Sequence, residues 1–363
     1  MNKGIAIGIV IAVLVIAAVG YVALGGSGIL APGGTTTIGS GGSTTIAVNN
    51  TISNYVYCVG TQGTPQQNQS YYAPIYTSGQ LGKWTLTTPY PIPHTFAGCS
   101  IYQGYIYCAG TFSNTQNQFS STYFAPVGPN GIGQWQQTAS YPIPLYNAGC
   151  TAYKGYLYCV GSQYGAMSEV YYTKLSSSGM ENWTQTTSYP EMAHDSSCIA
   201  YNNTLYCIGI GNYPFTRAYY ANISQTNGSV GNWSRLTNYP VPKLNAGCNE
   251  ANGYIYCVGT SGTSAQNESY YAPITPKGIG NWTKTTDYPI QASFAGCFVN
   301  GNFIYCVGSS QPGNANAAYY APISSSGIGA WQRTTSYPIA LEDTYCVVPG
   351  YGGGYYSGGG PSS

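Results

Sequence analysis

The sequence predicts an all-β protein, a six-bladed β-propeller that is closed by its two termini and preceded by one N-terminal transmembrane helix. Three observations support this prediction. A repeat recurs about every 50 residues, each repeat contains two cysteines nine positions apart, and the halves of a sixth cysteine pair lie at opposite ends of the repeat region. A period near 50 residues is typical of propeller blades.

The N-terminal helix is predicted from an uncharged apolar run between Gly4 and Leu24, which follows Lys3. A helix of these 21 residues would span about 31 Å, roughly the hydrocarbon core of a bilayer. The run is long for a cleavable signal peptide, so we expect residues 1–25 to form a membrane anchor. A cleaved secretory signal, a pilin-like leader and a buried core helix are the alternatives. Because Lys3 carries the only nearby side-chain charge, we expect a single-pass protein of the cell membrane, with the N-terminus inside and the propeller outside.

Composition divides the rest of the chain into three parts. Residues 26–50 are rich in Gly, Ser and Thr and predict a flexible linker, residues 51–348 contain the repeats, and residues 349–363 form a Gly- and Tyr-rich tail that we expect to be disordered. Only 5% of the residues are charged, and the net charge is +1. The sequence contains no basic patch that would bind phosphates, which argues against a nucleic-acid partner.

One repeat, residues 97–141, can be divided into four strands. Residues 97–102 and 105–110 predict a hairpin, residues 121–127 predict a third strand, and the segment that carries Trp135 predicts the fourth. Aromatic and β-branched residues separated by Gly, Asn and Pro are typical of strands and their turns. A tryptophan recurs in each unit, as Trp84, Trp135, Trp183, Trp233, Trp282 and Trp331.

The predicted hairpins explain the cysteine spacing. A two-residue turn such as Gln103-Gly104 matches the twist of paired strands and places Cys99 directly opposite Cys108. Opposed residues in a non-hydrogen-bonded pair lie about 4.5 Å apart, within the range of a disulfide. The sequence therefore predicts a disulfide in each hairpin, and reduced thiols in a reducing compartment are the alternative. The five predicted hairpin pairs are Cys99 with Cys108, Cys150 with Cys159, Cys198 with Cys207, Cys248 with Cys257, and Cys297 with Cys306.

The two remaining cysteines predict how the ring closes. Cys58 has the sequence context of the second cysteine of a pair, and Cys346 has that of a first cysteine. A linear array has no reason to leave complementary halves at its two ends. A ring that pairs its last strand with its first strand would place one half at each end. We therefore expect a Cys58–Cys346 disulfide in a blade built from both termini.

The repeats resemble the kelch-type β-propeller over residues 54–348. The resemblance consists of a hydrophobic strand that ends in Gly, a third strand with tyrosine, a fourth with tryptophan, and an exit such as Tyr141-Pro142-Ile143-Pro144. The chain departs from the family in its single glycine, its longer interval between tyrosine and tryptophan, and its added cysteine pairs. Kelch-like propellers include sugar oxidases and sialic-acid mutarotases, so the resemblance implies a carbohydrate-active enzyme as one alternative.

The scarce ionisable residues collect in loops that a propeller places around one end of its axis, here called the axial face. Carboxylates, amides and phenylalanines occupy the position three residues before each first cysteine, and two of them, Asp195 and Asp343, come from blades three apart. Such groups predict a funnel that binds a polyhydroxylated or cationic ligand, with Phe as a stacking wall. The predicted ligand-binding residues are Phe96, Asn147, His194, Asp195, Asn245, Phe294, Glu342 and Asp343.

The same residues allow other interpretations. They can simply satisfy loop backbone groups and face solvent. A calcium site that uses Asp343, Glu342 and backbone carbonyls is a further alternative, and we otherwise expect no cofactor or metal. An acid–base pair of His194 and Asp195 lacks an identifiable second partner, so we assign no catalytic residue.

The chain contains many aromatic residues and several glycosylation sequons. Both sides of a propeller blade pack against neighbours, so we expect the paired third-strand aromatics, such as Tyr171-Tyr172, and the six tryptophans to form the core. An exported chain can carry glycans on Asn-x-Ser/Thr sequons. The predicted glycosylation sites are Asn68, Asn182, Asn202, Asn222, Asn227, Asn232, Asn267 and Asn281.

The function that these features favour is binding. We expect a membrane-tethered extracellular binding or adhesion propeller without catalysis, which recognises a carbohydrate or a protein through its axial face. The alternatives are a carbohydrate-active enzyme of the oxidase or mutarotase class and a structural component of the cell envelope. Fold alone does not decide between these functions.

Overall fold

The computed structural model describes residues 51–60, 68–92, 98–110, 120–145, 148–162, 168–193, 197–210, 215–242, 247–259, 267–292, 295–309, 313–340, 345–350 and 357–359. These residues form six β-sheets and no helix. The predicted membrane anchor and linker lie outside the described residues. Within the described ranges, no helix is long and apolar enough to cross a bilayer.

Each sheet is one blade, and in blades 2 to 6 the strands run in sequence from the axis outward. The innermost strands are β4 (Gly98–Tyr102), β9 (Gly149–Tyr153), β14 (Ser197–Tyr201), β18 (Gly247–Ala251), β23 (Gly296–Asn300) and β28 (Tyr345–Val347). The second strands are β1 (Ile52–Val59), β5 (Tyr105–Ala109), β10 (Tyr156–Val160), β15 (Thr204–Ile210), β19 (Tyr254–Val258) and β24 (Phe303–Val307).

The outer half of each blade is built from a second hairpin. The third strands are β2 (Ser70–Tyr76), β6 (Thr122–Gly128), β11 (Val170–Ser176), β16 (Arg217–Asn222), β20 (Ser269–Thr275) and β25 (Ala318–Ser324). The fourth strands are β3 (Thr85–Thr87), β8 (Gln136–Gln137), β13 (Thr184–Gln185), β17 (Ser234–Arg235), β22 (Thr283–Lys284) and β27 (Gln332–Arg333). In four blades a short strand pairs with the end of the third: β7 (Gly131–Ile132), β12 (Gly179–Met180), β21 (Gly278–Ile279) and β26 (Gly327–Ile328).

Blade 1 is completed by both ends of the chain, as the sequence predicts. Its strand order is β28-β1-β2-β3, and Cys346 of β28 lies opposite Cys58 of β1. The two cysteines form a disulfide that closes a sequence separation of 288 residues. The prediction of a six-bladed ring closed by the termini is therefore confirmed.

The hairpins of the other five blades have the predicted register. Cys99 pairs with Cys108, and Tyr102 pairs with Tyr105 beside the turn. The turn residues Gln103 and Gly104 have φ values of 45° and 79°, which a two-residue turn with right-handed strand twist requires. The turn therefore sets which cysteines face each other.

All five predicted hairpin disulfides are present. Each joins Cα atoms 4.1–4.2 Å apart, and both cysteines of every pair are fully buried between neighbouring blades. Every described cysteine is bridged, so the alternative of reduced thiols does not hold. The hairpin bridges are Cys99 to Cys108, Cys150 to Cys159, Cys198 to Cys207, Cys248 to Cys257, and Cys297 to Cys306.

Aromatic residues hold neighbouring blades together. The tyrosine of each exit segment is almost fully buried and lies edge-on against the tryptophan of the next blade, as for Tyr90 and Trp135, whose ring centroids are 4.9 Å apart. Tyr337 contacts Trp84 in the same way, so the pattern continues across the closure. The tryptophans directly precede the fourth strands, where the sequence placed them within the strands. The reason is that Trp135 turns towards blade 1, where its Nε1 donates to the Thr88 carbonyl.

A last short strand lies near the C-terminus. β29 (Ser357–Gly359) pairs in parallel with the innermost strand β14 of blade 4. The sequence predicts disorder for this tail. An innermost strand has one edge without a partner, and backbone groups on a free edge can pair with any extended segment.

Candidate functional site

The propeller has one face at each end of its axis. The two-residue turns of the inner hairpins lie at one end, here called the turn face, and the axial face lies at the other. All eight predicted ligand-binding residues belong by sequence to the axial face and lie outside the described residues. These are Phe96, Asn147, His194, Asp195, Asn245, Phe294, Glu342 and Asp343.

The described strand ends next to the axial face carry carboxylates that are already hydrogen-bonded. Glu169 precedes the third strand of blade 3, and its position is set by a hydrogen bond from the Gly161 N–H to its carbonyl, 2.9 Å long. Its Oε2 accepts a hydrogen bond from the Tyr171 hydroxyl at 2.5 Å. Burial, followed by this hydrogen bond, raises the pKa of Tyr171 to about 12. The tyrosine therefore remains a neutral donor to the carboxylate at physiological pH.

Blade 4 has a different arrangement of the same groups. Arg217 occupies the position of Glu169, and the carboxylate comes instead from Glu191 in the exit segment of blade 3. Glu191 accepts hydrogen bonds from both Arg217 and the Tyr219 hydroxyl, and it forms an ion pair with the guanidinium. Burial and the bond to Glu191 raise the pKa of Tyr219. Neither charge of this pair is left uncompensated.

Blade 5 repeats the arrangement with a lysine. The Glu268 carboxylate accepts hydrogen bonds from the Tyr270 hydroxyl at 2.7 Å and from Lys284 Nζ at 2.8 Å. The bond from Lys284, and then that from Tyr270, lowers the pKa of Glu268. Lys284 also lies 3.6 Å from a carboxylate oxygen of Asp287.

These three groups define what the described part of the axial rim can do chemically. A general acid or base works best when its pKa lies near the working pH. The Glu268 carboxylate is instead held ionised, and the pKa values of Tyr171 and Tyr270 are raised to about 12. The rim presents oxygen acceptors and neutralised charges, which suit hydrogen bonding to a ligand better than proton transfer.

A cleft on the turn face is a second candidate site, which was not predicted from the sequence. A cleft of about 140 Å³ opens between blades 3 and 4. It combines tyrosines with an amide and an ammonium group, and its lining residues are Tyr153, Lys154, Tyr156, Tyr158, Asn203, Ile223, Ser224 and Gln225. The available sequence signal was the longer outer hairpin of blade 4, Ile223 to Val230.

The third feature is a buried carboxyl group inside the ring. Glu250 on β18 is 1% exposed, and it lies opposite Ile255 on the side of blade 5 that packs against blade 4. Its Oε1 accepts a hydrogen bond from the Gly253 N–H at 2.9 Å, while its Oε2 has no partner. Burial raises the pKa of Glu250 to about 7.

The structure also locates the predicted glycosylation sites. Six of the asparagines are exposed, and Asn68 and Asn267 are half-buried. The Asn267 amide donates to the Tyr288 carbonyl at 3.3 Å, so a glycan there would disrupt an existing hydrogen bond. The exposed sites are Asn182, Asn202, Asn222, Asn227, Asn232 and Asn281.

The potential metal ligands of the described ranges are dispersed. In those ranges, no three His, Cys, Asp or Glu side chains are grouped closely enough to hold an ion. The alternative calcium ligands, Asp343 and Glu342, lie outside them.

Comparisons with known proteins show the fold. No family model matches the chain, and no curated protein matches it. Among solved structures, 378 chains match, and one of them is described as "Structure of YjhT". That structure is similar with a TM-score of 0.57 and 11% sequence identity, over 78% of this chain and 99% of its own. At this identity the likeness shows a shared propeller fold and does not extend to an activity.

Proposed function

We propose that this chain is an exported, membrane-tethered propeller of kelch type that binds a glycan through its axial face and does not catalyse a reaction on it. The disulfide in every blade supports an oxidising location, because such bonds persist outside reducing compartments. The six exposed sequons are consistent with the same location. The tether is the apolar run from Gly4 to Leu24.

The neutralised axial rim is the main support for binding without catalysis. Glu169, Glu191 and Glu268 each accept a hydrogen bond from a tyrosine hydroxyl, and the last two are also paired with cations. Such carboxylates retain acceptor lone pairs for sugar hydroxyls. Glu169 and Glu268 directly precede β-strands, and such fixed backbone positions favour a preformed site, which lowers the entropy cost of binding.

The axial residues predicted from the sequence would form the centre of this site. From their places in the repeat, we expect Asp195 and Asp343 to supply acceptors from opposite sides of the ring, and Phe96 and Phe294 to supply apolar faces on which a sugar ring can stack. The charge-poor surface, with 5% charged residues, gives little electrostatic attraction to a polyanion. The ligand class that fits best is a neutral, hydroxyl-rich glycan.

A binding assay on the full chain in detergent tests this proposal. We expect the wild-type protein to bind members of a glycan panel, and the double variant Asp195→Ala, Asp343→Ala to bind the same glycan at least about tenfold more weakly. Glu181→Gln is the matched control, because this carboxylate is 59% exposed near the turn face. Its affinity should equal that of the wild type.

The remaining outcomes separate the alternatives. Conversion of a bound sugar into a product would identify a carbohydrate-active enzyme. Binding only to isolated envelope proteins would identify a structural component. Unchanged glycan affinity in the double variant would show that the glycan does not bind at the axial face.

A further inference from the structure

The cleft between blades 3 and 4 originates in one outer hairpin. In blades 2, 3, 5 and 6 the outer hairpin has a cross-strand pair at the base of its turn, and the two paired residues are five positions apart, as for Val127 and Ile132. In blade 4 the corresponding pair, Ile223 and Val230, lies seven positions apart, so the turn between them is two residues longer. The extra residues fold back locally, with the Gly228 N–H donating to the Ser224 carbonyl at 2.9 Å.

A buried hydroxyl group beside the longer hairpin has no partner. At three other interfaces between blades, the tyrosine of a second strand donates to the last residue of the third strand in the next blade, whereas the hydroxyl of Tyr305 in blade 6 forms no hydrogen bond. Tyr107 donates to the Ser176 carbonyl at 2.7 Å, and Tyr256 donates to that of Ser324 at 2.8 Å. Tyr158 is the equivalent residue facing blade 4. It is fully buried, its hydroxyl forms no hydrogen bond, and it lines the cleft.

Other polar groups line the same cleft. The Asn203 N–H donates to the Tyr153 hydroxyl at 2.8 Å, which holds the inner turns of the two blades together. Lys154 Nζ donates to Asn203 Oδ1 at 3.1 Å and lies 5.5 Å from the centre of the Tyr153 ring. No carboxylate of the described residues forms an ion pair with Lys154. Its remaining two protons are therefore available to a ligand.

We infer that this cleft is a binding site for a single pyranose ring, in which Tyr158 donates to or accepts from a sugar hydroxyl and Lys154 favours a ring with a carboxylate, a hexuronate. The volume of about 140 Å³ is close to that of a closed cavity of about 150 Å³ that holds benzene. Because this cleft is open on one side, the hydroxyl and carboxylate groups of a pyranose can extend out of it. The half-buried ring of Tyr156 provides an apolar wall, and such walls with a few polar groups are typical of small-ligand sites.

The sugar can come from two sources. Three exposed sequons surround the cleft: Asn202 precedes the lining residue Asn203, Asn222 precedes Ile223, and Asn227 belongs to the long hairpin. A glycan attached to one of them could place its own ring in the cleft. A glycan of another molecule could occupy the same position. The site lies opposite the axial face, so it does not depend on the function proposed above.

The test uses the full chain, purified in detergent from a host that forms disulfides and does not attach glycans. Ligand-observed NMR should show methyl glucuronide binding with a Kd of the order of 1 mM, and methyl glucoside binding more weakly. Tyr158→Phe removes only the hydroxyl and should weaken glucuronide binding about five- to tenfold. Lys154→Asn keeps a residue that such turns accept, as Asn252 does at the equivalent position. This variant should abolish the preference for the glucuronide.

Tyr107→Phe is the matched control, because it removes the equivalent hydroxyl at an interface where that hydroxyl already donates to the Ser176 carbonyl. It should lose some stability and leave sugar binding unchanged. Glycosylated protein that no longer binds added glucuronide would identify the chain's own glycan as the occupant, and glycosylated protein that still binds it would identify an external one. The inference is overturned if unglycosylated protein does not bind the glucuronide at about 10 mM, or if either cleft variant binds it as the wild type does.

Discussion

The six blades have the same strand order and disulfide position and differ in single residues. Glu250 is the clearest example. The equivalent positions of the other innermost strands and of the closing segment carry apolar side chains: Ile101, Ala152, Ala200, Val299 and Val348. A buried carboxyl group with one unpartnered oxygen costs free energy when it ionises, because burial removes water from the charged form. The sequence shows the substitution, but only packing against blade 4 shows the burial.

Replacing Glu250 with Gln should make stability less dependent on pH. The folded-state pKa is raised from 4.5 to about 7, so between these values the unfolded chain loses its proton before the folded chain does. Stability therefore falls as the pH rises through this window, and the penalty is complete above it. We expect Glu250→Gln to match the wild type near pH 4 and to exceed its stability at pH 8 by up to about 3 kcal/mol. Gln retains an oxygen for the Gly253 N–H.

Chemical denaturation across this pH range, with the disulfides intact, measures the effect. Glu181→Gln is the control, because this exposed carboxylate should show no such pH dependence. A constant difference between wild type and Glu250→Gln at all pH values would assign the stabilisation to altered packing and not to the charge.

At the scale of secondary-structure elements, the fourth strands join the blades through threonines. Thr285 Oγ1 accepts a hydrogen bond from the Ile328 N–H at 2.8 Å and donates to the Ile328 carbonyl at 3.1 Å. Equivalent bonds to the N–H of the next blade are formed by Thr87, Thr138, Thr186 and Thr334. Leu236 occupies this position between blades 4 and 5, where Trp282 Nε1 also lacks an acceptor. Glu250 Oε2 and Trp282 Nε1 are therefore two buried polar atoms in blade 5 that have no hydrogen-bond partner among the described residues.

Removing one of these threonines should therefore destabilise the ring. Thr285→Val keeps the side-chain shape but leaves the Ile328 N–H without its acceptor, while the carbonyl keeps a bond from Thr286 at 2.7 Å. We expect a loss of about 1–3 kcal/mol in the free energy of unfolding. Thr283→Val, at an exposed position of the adjoining strand β22, should change it by less than about 0.5 kcal/mol. Equal losses in the two variants, measured by urea denaturation, would contradict this role for Thr285.

The strands themselves were largely predictable, because hairpin turns and cysteine register are local properties. The prediction failed for the outer hairpins. Short strands such as β7 pair only two residues, and their position is set by contact with the preceding blade, where Thr87 Oγ1 accepts the Ile132 N–H. No local pattern in the sequence reports such a contact. The same reason explains why Trp135 lies before its strand and not within it.

At the scale of the whole molecule, the closing disulfide restricts the chain far more than the others. Cys58–Cys346 spans 288 residues, and each hairpin bridge spans nine. In the chain-entropy model, the long loop stabilises the fold by about 5–6 kcal/mol and a hairpin loop by about 2.5–3 kcal/mol. The closing bridge also joins strands β1 and β28, which no continuous hairpin connects.

Thermal unfolding of paired variants tests ring closure. Cys58→Ser with Cys346→Ser should lower the midpoint more than Cys248→Ser with Cys257→Ser, because the first pair releases the larger loop. Each double variant leaves no free thiol from its own bridge. If the two variants lost the same stability, the closing blade would have to be held mainly by strand pairing and the Tyr337–Trp84 contact.

By itself, the sequence determined the all-β class, the number of blades, the six disulfides and the closure by both termini. These follow from a repeat period and from residues that face each other across two-residue turns, so short-range geometry is sufficient. Only the tertiary structure decided that Tyr158 lacks a hydrogen-bond partner, that Glu250 is buried between two blades, and that a cleft lies beside Asn203. Each of these depends on residues about 50 positions or more away in the adjacent blade, whose exact approach is set by hairpin length and packing and not by local pattern.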